Sequence, residues 1–153
     1  RYPAQLVVQD VLSIHGSQFK DAALIVASPP CQAYSYRAMP WKLAKALPPP
    51  DNALFEACFR IQREACEAAS HHFPLVVENV CGAQKWVGKA QWHYGSFYLW
   101  GDVPALMPST SRAKFKGGDE QRLTGTASAH IAKIPLTLAR HIARAWKPEI
   151  VHG

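Results

Sequence analysis

The sequence predicts an α/β fold with a mainly parallel sheet. Two short β-branched runs, at 24–28 and at 75–77, are typical of buried strands. Between them lies the longest stretch of helical periodicity, residues 52–70. A strand, a helix and a strand in this order form a crossover unit whose strands are parallel and adjacent. The residues that follow the two strands are therefore expected at one edge of the sheet.

The predicted helix is amphipathic and has a recognisable start. Asp51 follows three prolines and is expected to be the N-cap. An apolar stripe is expected to pack on the sheet, and a polar face is expected to meet solvent. The stripe comprises Leu54, Phe55, Cys58, Phe59, Ile61, Ala65, Cys66 and Ala69, and the polar face comprises Arg60, Arg63, Glu64 and Glu67. His71 and His72 at the C-terminal end are predicted surface residues, favoured there by the helix dipole.

A further strand is predicted before the crossover unit, at Leu6-Val7-Val8, and it ends near Asp10. An aspartate at the C-terminal end of a strand can accept hydrogen bonds from a bound nucleoside. An aspartate that caps a turn fits the same position equally well. The sequence leaves both alternatives open.

The remaining segments are mostly predicted loops. Residues 33–50 carry interleaved aromatic and basic side chains, which suit either contact with unstacked bases or cover of the sheet edge. Residues 81–95 predict a loop with one helical turn, and 96–100 predict a strand. The polar segment 103–128 is a solvated loop or a nucleic-acid contact. Pro135 begins a final helix, which ends at Trp146.

Composition and charge predict one globular domain with a polyanionic partner. The chain has 153 residues, of which 48% are hydrophobic and 18% charged, so it can bury a core without disulfides. The formal net charge of +6 makes nucleic acid the first expectation for a partner. The apolar runs are too short to cross a bilayer and no leader opens the chain, so neither a membrane partner nor secretion is expected.

The four cysteines are expected to be free thiols in a reducing, cytoplasmic environment. Cys31, Cys58, Cys66 and Cys81 lie far apart and form no C-x-x-C pair. A zinc site from two of them with His71 and His72 fits no common spacing, so no metal is expected.

One of these cysteines follows the first predicted strand directly. In Ser28-Pro29-Pro30-Cys31-Gln32 the two prolines prevent the strand from continuing and force a stiff turn. A cysteine on a rigid turn at the C-terminal end of a strand is suited to be a nucleophile, although cysteine is also a common core residue. Glu78 follows the next parallel strand, so the two side chains are expected to face one pocket.

These residues resemble the motifs of DNA cytosine-5 methyltransferases. Pro29-Pro30-Cys31-Gln32 with Tyr34-Ser35 is similar to the catalytic loop of that family, and Glu78-Asn79-Val80 is similar to its second catalytic motif. Leu54-Phe55 opens the intervening helix as in the family, and residues 134–139 resemble its C-terminal, cofactor-side helix. The resemblance extends in order from residue 6 to residue 146. It implies a Rossmann-like class I fold that uses S-adenosylmethionine.

The resemblance also implies roles for individual residues. The Cys31 thiolate would add to C6 of a cytosine flipped out of DNA, and Glu78 would hold the N3 and N4 edge of the base. The loop at 33–47 would close behind the base. The implied cofactor-binding residues are Asp10, Pro30 and Leu54, and the implied substrate-binding residues are Gln32, Ser35, Asn79, Val80 and His93.

The chain departs from the family in several places. The Gly-rich cofactor loop and the strand that follows it are not found, so we expect a partial catalytic domain, completed by a missing N-terminal segment or a complementary chain. The family's Gln-x-Arg-x-Arg motif has its nearest counterpart in Gln91-Trp92-His93. The segment 103–128 is a short counterpart of the target-recognition region. A prokaryotic or phage-encoded enzyme of DNA methylation, such as one of restriction-modification, is the expected setting.

Two alternative functions remain open from the sequence. Ser-Pro-Pro followed by an aromatic residue is the mark of methyltransferases that modify the amino groups of adenine or cytosine without a covalent intermediate, and here the fourth residue is Cys31. The missing cofactor loop would suit a DNA-binding module without turnover.

Overall fold

A computed structural model of the chain describes residues 5–35, 40–46, 48–105 and 134–146. The chain divides into two compact units, Arg1–Val103 and Pro104–Gly153. The first unit holds a sheet and its covering helices, and it contains every residue that the sequence assigns to the site. The predicted segment 103–128 falls largely outside the described residues.

Among the described residues, the first unit is built on a four-stranded sheet. Its strands are β1 (Ile25–Ala27), β2 (Leu75–Asn79), β3 (Trp92–Tyr94) and β4 (Phe97–Gly101), in the order β1-β2-β4-β3. β1 and β2 are parallel, whereas β2–β4 and β3–β4 are antiparallel. The α/β class is therefore confirmed, with a mixed sheet in which one of the three pairings is parallel.

Four α-helices are described. They are α1 (Trp41–Ala46), α2 (Ala53–Ala69), α3 (Gln84–Val87) and, in the second unit, α4 (Leu136–Ala145). Single 3-10 turns lie at Gly16–Phe19, Gln32–Tyr34 and Cys81–Ala83. The predicted crossover helix is confirmed as α2. The helix predicted from Pro135 is confirmed as α4, which buries Leu138 and Ile142.

The start of α2 differs slightly from the prediction. Asn52 is the N-cap residue, but its side chain accepts no capping hydrogen bond. The carboxylate of Asp51 instead accepts the main-chain N–H of Ala53 at 2.8 Å. Asp51 therefore satisfies one of the free N–H groups at the helix start from one position further out.

The strand predicted at Leu6-Val7-Val8 is wrong. The structure has no strand there, and the three side chains are 80%, 65% and 92% exposed. A strand is stable only beside a hydrogen-bonded neighbour, and this run has none among the described residues. The apolar pattern alone could not show that the neighbour was lacking.

One helix and one strand lie in segments that were predicted to be loops. α1 lies within the segment 33–50, and β3 lies within 81–95. β3 and β4 form a hairpin whose two-residue loop begins at Gly95, with φ of 61°. A positive φ at the first loop position matches the right-handed twist of paired strands, and glycine adopts it without strain.

The core lies between the sheet and α2. The ring of Phe55 from α2 meets Trp100 from β4 edge to face, with centroids 5.3 Å apart. The indole N–H of Trp100 donates to the carbonyl of Gly88 at 2.9 Å, so this buried polar group is satisfied. The buried cluster comprises Tyr34, Phe55, Cys58, Leu75, Val77, Ala83 and Trp100.

The polar face of α2 is only partly exposed to solvent. Arg63 and Glu67 are exposed as predicted, whereas Arg60 and Glu64 are half-buried and bond to the segment at residues 11–16. The prediction that Arg60 and Glu64 face solvent is therefore wrong. Their partners lie far away in sequence, and helical periodicity carries no information about them.

Candidate active site

The parallel pairing of β1 and β2 brings the ends of both strands to one edge of the sheet. Ile25 lies opposite Leu75, and Ala27 lies opposite Val77. One residue further along, Ser28 lies next to Glu78, and its hydroxyl acts to lower the pKa of the Glu78 carboxyl group. The residue that precedes the Pro-Pro-Cys turn is therefore a neighbour of a residue near the end of β2.

Asn79 joins the two chain segments a second time. Its side chain is buried, and its Nδ2 donates to the carbonyl of Pro29 at 3.0 Å. Its Oδ1 accepts the main-chain N–H of Val80 at 2.8 Å. A buried amide with both ends bonded fixes the groups it joins, because releasing either one leaves a polar atom unsatisfied. The prolines before Cys31 are thus held to the end of β2.

The turn after the prolines is held by its own hydrogen bonds. The carbonyl of Cys31 accepts the main-chain N–H of Tyr34 at 3.0 Å and the hydroxyl of Ser35 at 2.9 Å. Tyr34 is buried in the core, and its hydroxyl donates to Oδ1 of Asn52 at 2.9 Å. The Cys31 thiol is half-buried on this turn. Ser35 therefore stabilises the backbone under the thiol.

Glu78 lies in an environment that favours its protonated form. Burial raises the pKa of Glu78, because a carboxylate loses hydration there, and the hydrogen bond from Ser28 opposes this effect in part. A carboxyl group with a raised pKa can donate a proton as well as accept a hydrogen bond. Glu78, at the end of β2, is therefore a carboxyl group suited to acid–base work.

An apolar cavity of about 460 Å³ lies beside β1, on the Pro30 side of the turn. Its size lies within the range of small-molecule sites, and apolar walls suit a flat ring system. Pro30 and Leu54, two of the predicted cofactor-binding residues, both line it. Its walls are completed by Val11, Ile14, Phe19, Ala22, Leu24, Ile25, Val26, Ala27, Ser28, Pro29, Cys58 and Ile61.

Asp10, the third predicted cofactor-binding residue, holds a turn. Its carboxylate accepts the N–H of Leu12 at 3.0 Å, and its carbonyl accepts the N–H groups of Ser13 and Ile14 at 3.1 Å each. The contacts of Asp10 in this structure are therefore those of an aspartate that caps a turn. Asp10 is exposed and does not line the cavity, but its neighbour Val11 does.

The other predicted substrate-binding residues are spread more widely. Gln32 is exposed next to Cys31, and Val80 packs against the core. His93 lies on β3, which is three strand spacings from β1, about 14 Å. Its ring stacks on Tyr98 with centroids 4.9 Å apart. The structure therefore places Ser35 and Asn79 near the Cys31 turn, but it does not place His93 there.

Sequence reasoning missed Ser28 as a partner of Glu78. The signal was present, because extending the parallel register by one residue places position 28 beside position 78. It also missed Arg60 and Glu64, which hold the cavity wall at residues 11–16, and no local pattern indicates that contact.

Two further properties concern only the part of the chain that the structure describes. There, no helix has the length and apolar character needed to cross a membrane. In the same residues no three His, Cys, Asp or Glu side chains lie close enough to hold a metal ion. All four cysteines are free thiols, as predicted.

Comparisons with known proteins do not assign the chain to a family. It matches no protein-family model, and searches among curated proteins and among solved structures found no significant match. A functional proposal must therefore rest on the residues of the site and on their geometry.

Proposed function

We propose that the protein is a DNA cytosine-5 methyltransferase in which Cys31 is the nucleophile and Glu78 holds the target base. The observation that carries the proposal is the hydrogen bond from Asn79 to Pro29. This bond connects the Pro-Pro-Cys turn, which follows β1, to the end of β2, where Glu78 lies. β1 and β2 are parallel neighbours in the sheet. The motifs Pro29-Pro30-Cys31-Gln32 and Glu78-Asn79-Val80 support it independently.

The Cys31 thiolate does the covalent work in this proposal. Its sulfur bonds to C6 of cytosine, and the electron pair of the C5–C6 double bond makes C5 nucleophilic. After methylation, water takes the C5 proton, and the electron pair of the broken C5–H bond stays on the ring. The bond from C6 to sulfur then breaks, which restores the double bond and frees Cys31. The rigid turn under Cys31 limits the conformational search for the attack geometry.

Glu78 stabilises the charge that develops on the ring. Its raised pKa favours a protonated carboxyl group, which can donate to N3 of cytosine while its other oxygen accepts from the N4 amino group. As sulfur adds to C6, electron density moves toward N3, and the Glu78 proton neutralises it.

The cavity beside Pro30 suits the methyl donor. S-adenosylmethionine, when bound, supplies a methyl group on a positively charged sulfur. The apolar walls at Pro30, Leu54 and Val11 suit the adenine ring. The family resemblance gives the adenine amino group to Asp10, whose carboxylate in this structure holds the turn that carries Val11. The Gly-rich loop that the family uses for the other end of the donor is not found in this sequence.

The proposal extends to the fold and the partner. The unit of β1, α2 and β2 is the kind of parallel crossover from which a Rossmann-like methyltransferase sheet is built. The net charge of +6 favours DNA, and chemistry on C5 and C6 requires the base to leave the stack. A cytoplasmic, prokaryotic or phage-encoded setting fits this activity.

The test uses DNA that contains 5-fluorocytosine. Fluorine at C5 cannot leave as a proton, so the Cys31 adduct accumulates when S-adenosylmethionine is added. Cys31→Ala should abolish the adduct, whereas the control Cys81→Ala, which removes another half-buried free thiol, should retain it. Methyl transfer without an adduct would instead fit an amino-group methyltransferase. Salt-sensitive DNA binding without either would fit a binding module.

A further inference from the structure

A second group of residues, centred on α2, holds one of the cavity walls in place. The guanidinium of Arg60 on α2 donates to the carbonyls of Ile14 at 2.9 Å, Val11 at 3.0 Å and Leu12 at 3.3 Å. The guanidinium is planar and presents several N–H donors in a fixed geometry. It therefore holds the three carbonyls together more firmly than three separate donors would.

Glu64, one turn further along α2, completes the arrangement. Its carboxylate accepts the N–H of Gly16 at 2.6 Å and both of its oxygens lie 2.9 Å from Nη1 of Arg60. His15 Nε2 lies 3.9 Å from the same carboxylate. One helix face therefore binds the segment 11–16 mainly through its main chain, and the side chains of Val11 and Ile14 line the cavity.

Gly16 permits this close approach. A Cβ at this position would overlap the main-chain oxygen of Ile61 and would lie 2.8 Å from Cβ of Glu64. The main chain at Gly16 therefore packs directly against the backbone of α2. A larger residue would push the segment 11–16 outward, whatever the charges nearby.

We infer that Arg60, Glu64 and Gly16 are positioning residues that hold the segment 11–16 as a wall of the cavity, so that ligand affinity depends on them. Val11 and Ile14 of this segment line the cavity, and Asp10 precedes them. Arg60 bonds to the carbonyls of both lining residues. The inference rests on the proposed function for the identity of the ligand, an adenosine-containing molecule.

Hydrogen exchange followed by mass spectrometry tests the first half of the inference. In Arg60→Gln, the amides of residues 12–16 should exchange roughly tenfold faster or more, because the opening of this segment becomes easier. The amides of β2 should be unchanged. Arg63→Gln is the matched control, since Arg63 is exposed on the same helix. Gly16→Ala should reproduce the faster exchange without any change of charge.

Titration with S-adenosylhomocysteine tests the second half. Arg60→Gln and Gly16→Ala should weaken its binding roughly tenfold or more, because the wall must then be ordered on binding. Arg60→Lys, which keeps the charge but bonds fewer carbonyls, should fall in between, and Arg63→Gln should bind as the wild type does.

The outcomes separate this inference from the proposed function. Unchanged exchange in Arg60→Gln overturns the positioning role. Faster exchange with unchanged affinity overturns the link between the wall and the ligand. If the wild-type protein binds no S-adenosylhomocysteine, the proposed function fails, and hydrogen exchange still decides whether Arg60 holds the segment.

Discussion

The buried side chain of Asn79 donates a hydrogen bond of 3.0 Å to the main-chain carbonyl of Pro29. This bond joins residues 50 positions apart and connects the end of β2 to the turn that carries Cys31. A proline turn is stiff, but its stiffness alone does not decide where it lies relative to the sheet. Asn79 therefore supplies the orientation that the sequence of the turn cannot supply.

Asn79→Ala should lower the free energy of unfolding by about 2 kcal/mol, because the Pro29 carbonyl and the Val80 N–H both lose a buried partner. Urea denaturation measures the change. Asn79→Asp separates the two bonds, since a carboxylate can still accept from Val80 but cannot donate to Pro29. A loss below about 0.5 kcal/mol in Asn79→Ala would show that the bond does not hold the turn.

Glu78 should make the protein less stable as pH rises. Its pKa is higher in the folded state than in the unfolded chain, so the unfolded state loses the proton first. Stability is then greatest below the unfolded pKa and falls as pH rises to the folded pKa. Glu78→Gln should remove this fall and be more stable than the wild type at pH 8 but not at pH 4. Equal differences at both pH values would contradict the raised pKa.

Glu64 should show the opposite pH dependence. The hydrogen bond from the Gly16 N–H, followed by that from Arg60, lowers the pKa of Glu64 in the folded state. Its contribution to stability is therefore present above the unfolded pKa and is lost as pH falls through the folded pKa. Urea denaturation of the wild type and Glu64→Gln at pH 7 and pH 3 measures this. The destabilisation caused by the substitution should be larger at pH 7, and an equal effect would exclude the charged contact.

Tyr34→Phe should lower the free energy of unfolding by about 1 kcal/mol, because the oxygen of Asn52 loses its donor while the ring stays in the core. The same change should loosen the backbone after Cys31, since Tyr34 ends the 3-10 turn there. Tyr94→Phe, on β3, is a control for removing a tyrosine hydroxyl elsewhere. Faster amide exchange at residues 34 and 35 in Tyr34→Phe alone would fit this role, and equal exchange in both variants would not.

Local patterns were enough to predict the crossover unit. The β-branched runs at β1 and β2 and the periodicity of α2 are short-range signals, and the parallel pairing follows from their order. The end of each strand was marked by its own residues, prolines at 29 and 30 and the polar pair Glu78-Asn79. For that reason the sequence could indicate that Cys31 and Glu78 share an edge.

Features that depend on distant partners could not be predicted in the same way. Leu6-Val7-Val8 has the composition of a strand but no neighbour to pair with. β3 is only three residues long, and its pairing depends on the Gly95 turn and on β4. Arg60 looked like an ordinary surface arginine because its carbonyl partners lie more than 40 positions earlier in the chain. Such contacts are fixed by packing and not by the local sequence.

In the proposed function, Cys31 is the residue that attacks the base. The most direct measurement is tryptic mass mapping of the protein after reaction with 5-fluorocytosine DNA and S-adenosylmethionine. The peptide from Asp21 to Arg37 contains Cys31 and no other cysteine, so an adduct on it identifies the residue without ambiguity. We expect the added mass on that peptide alone. An adduct on a peptide with Cys58, Cys66 or Cys81, or no adduct in protein that binds both DNA and the donor, would contradict the account.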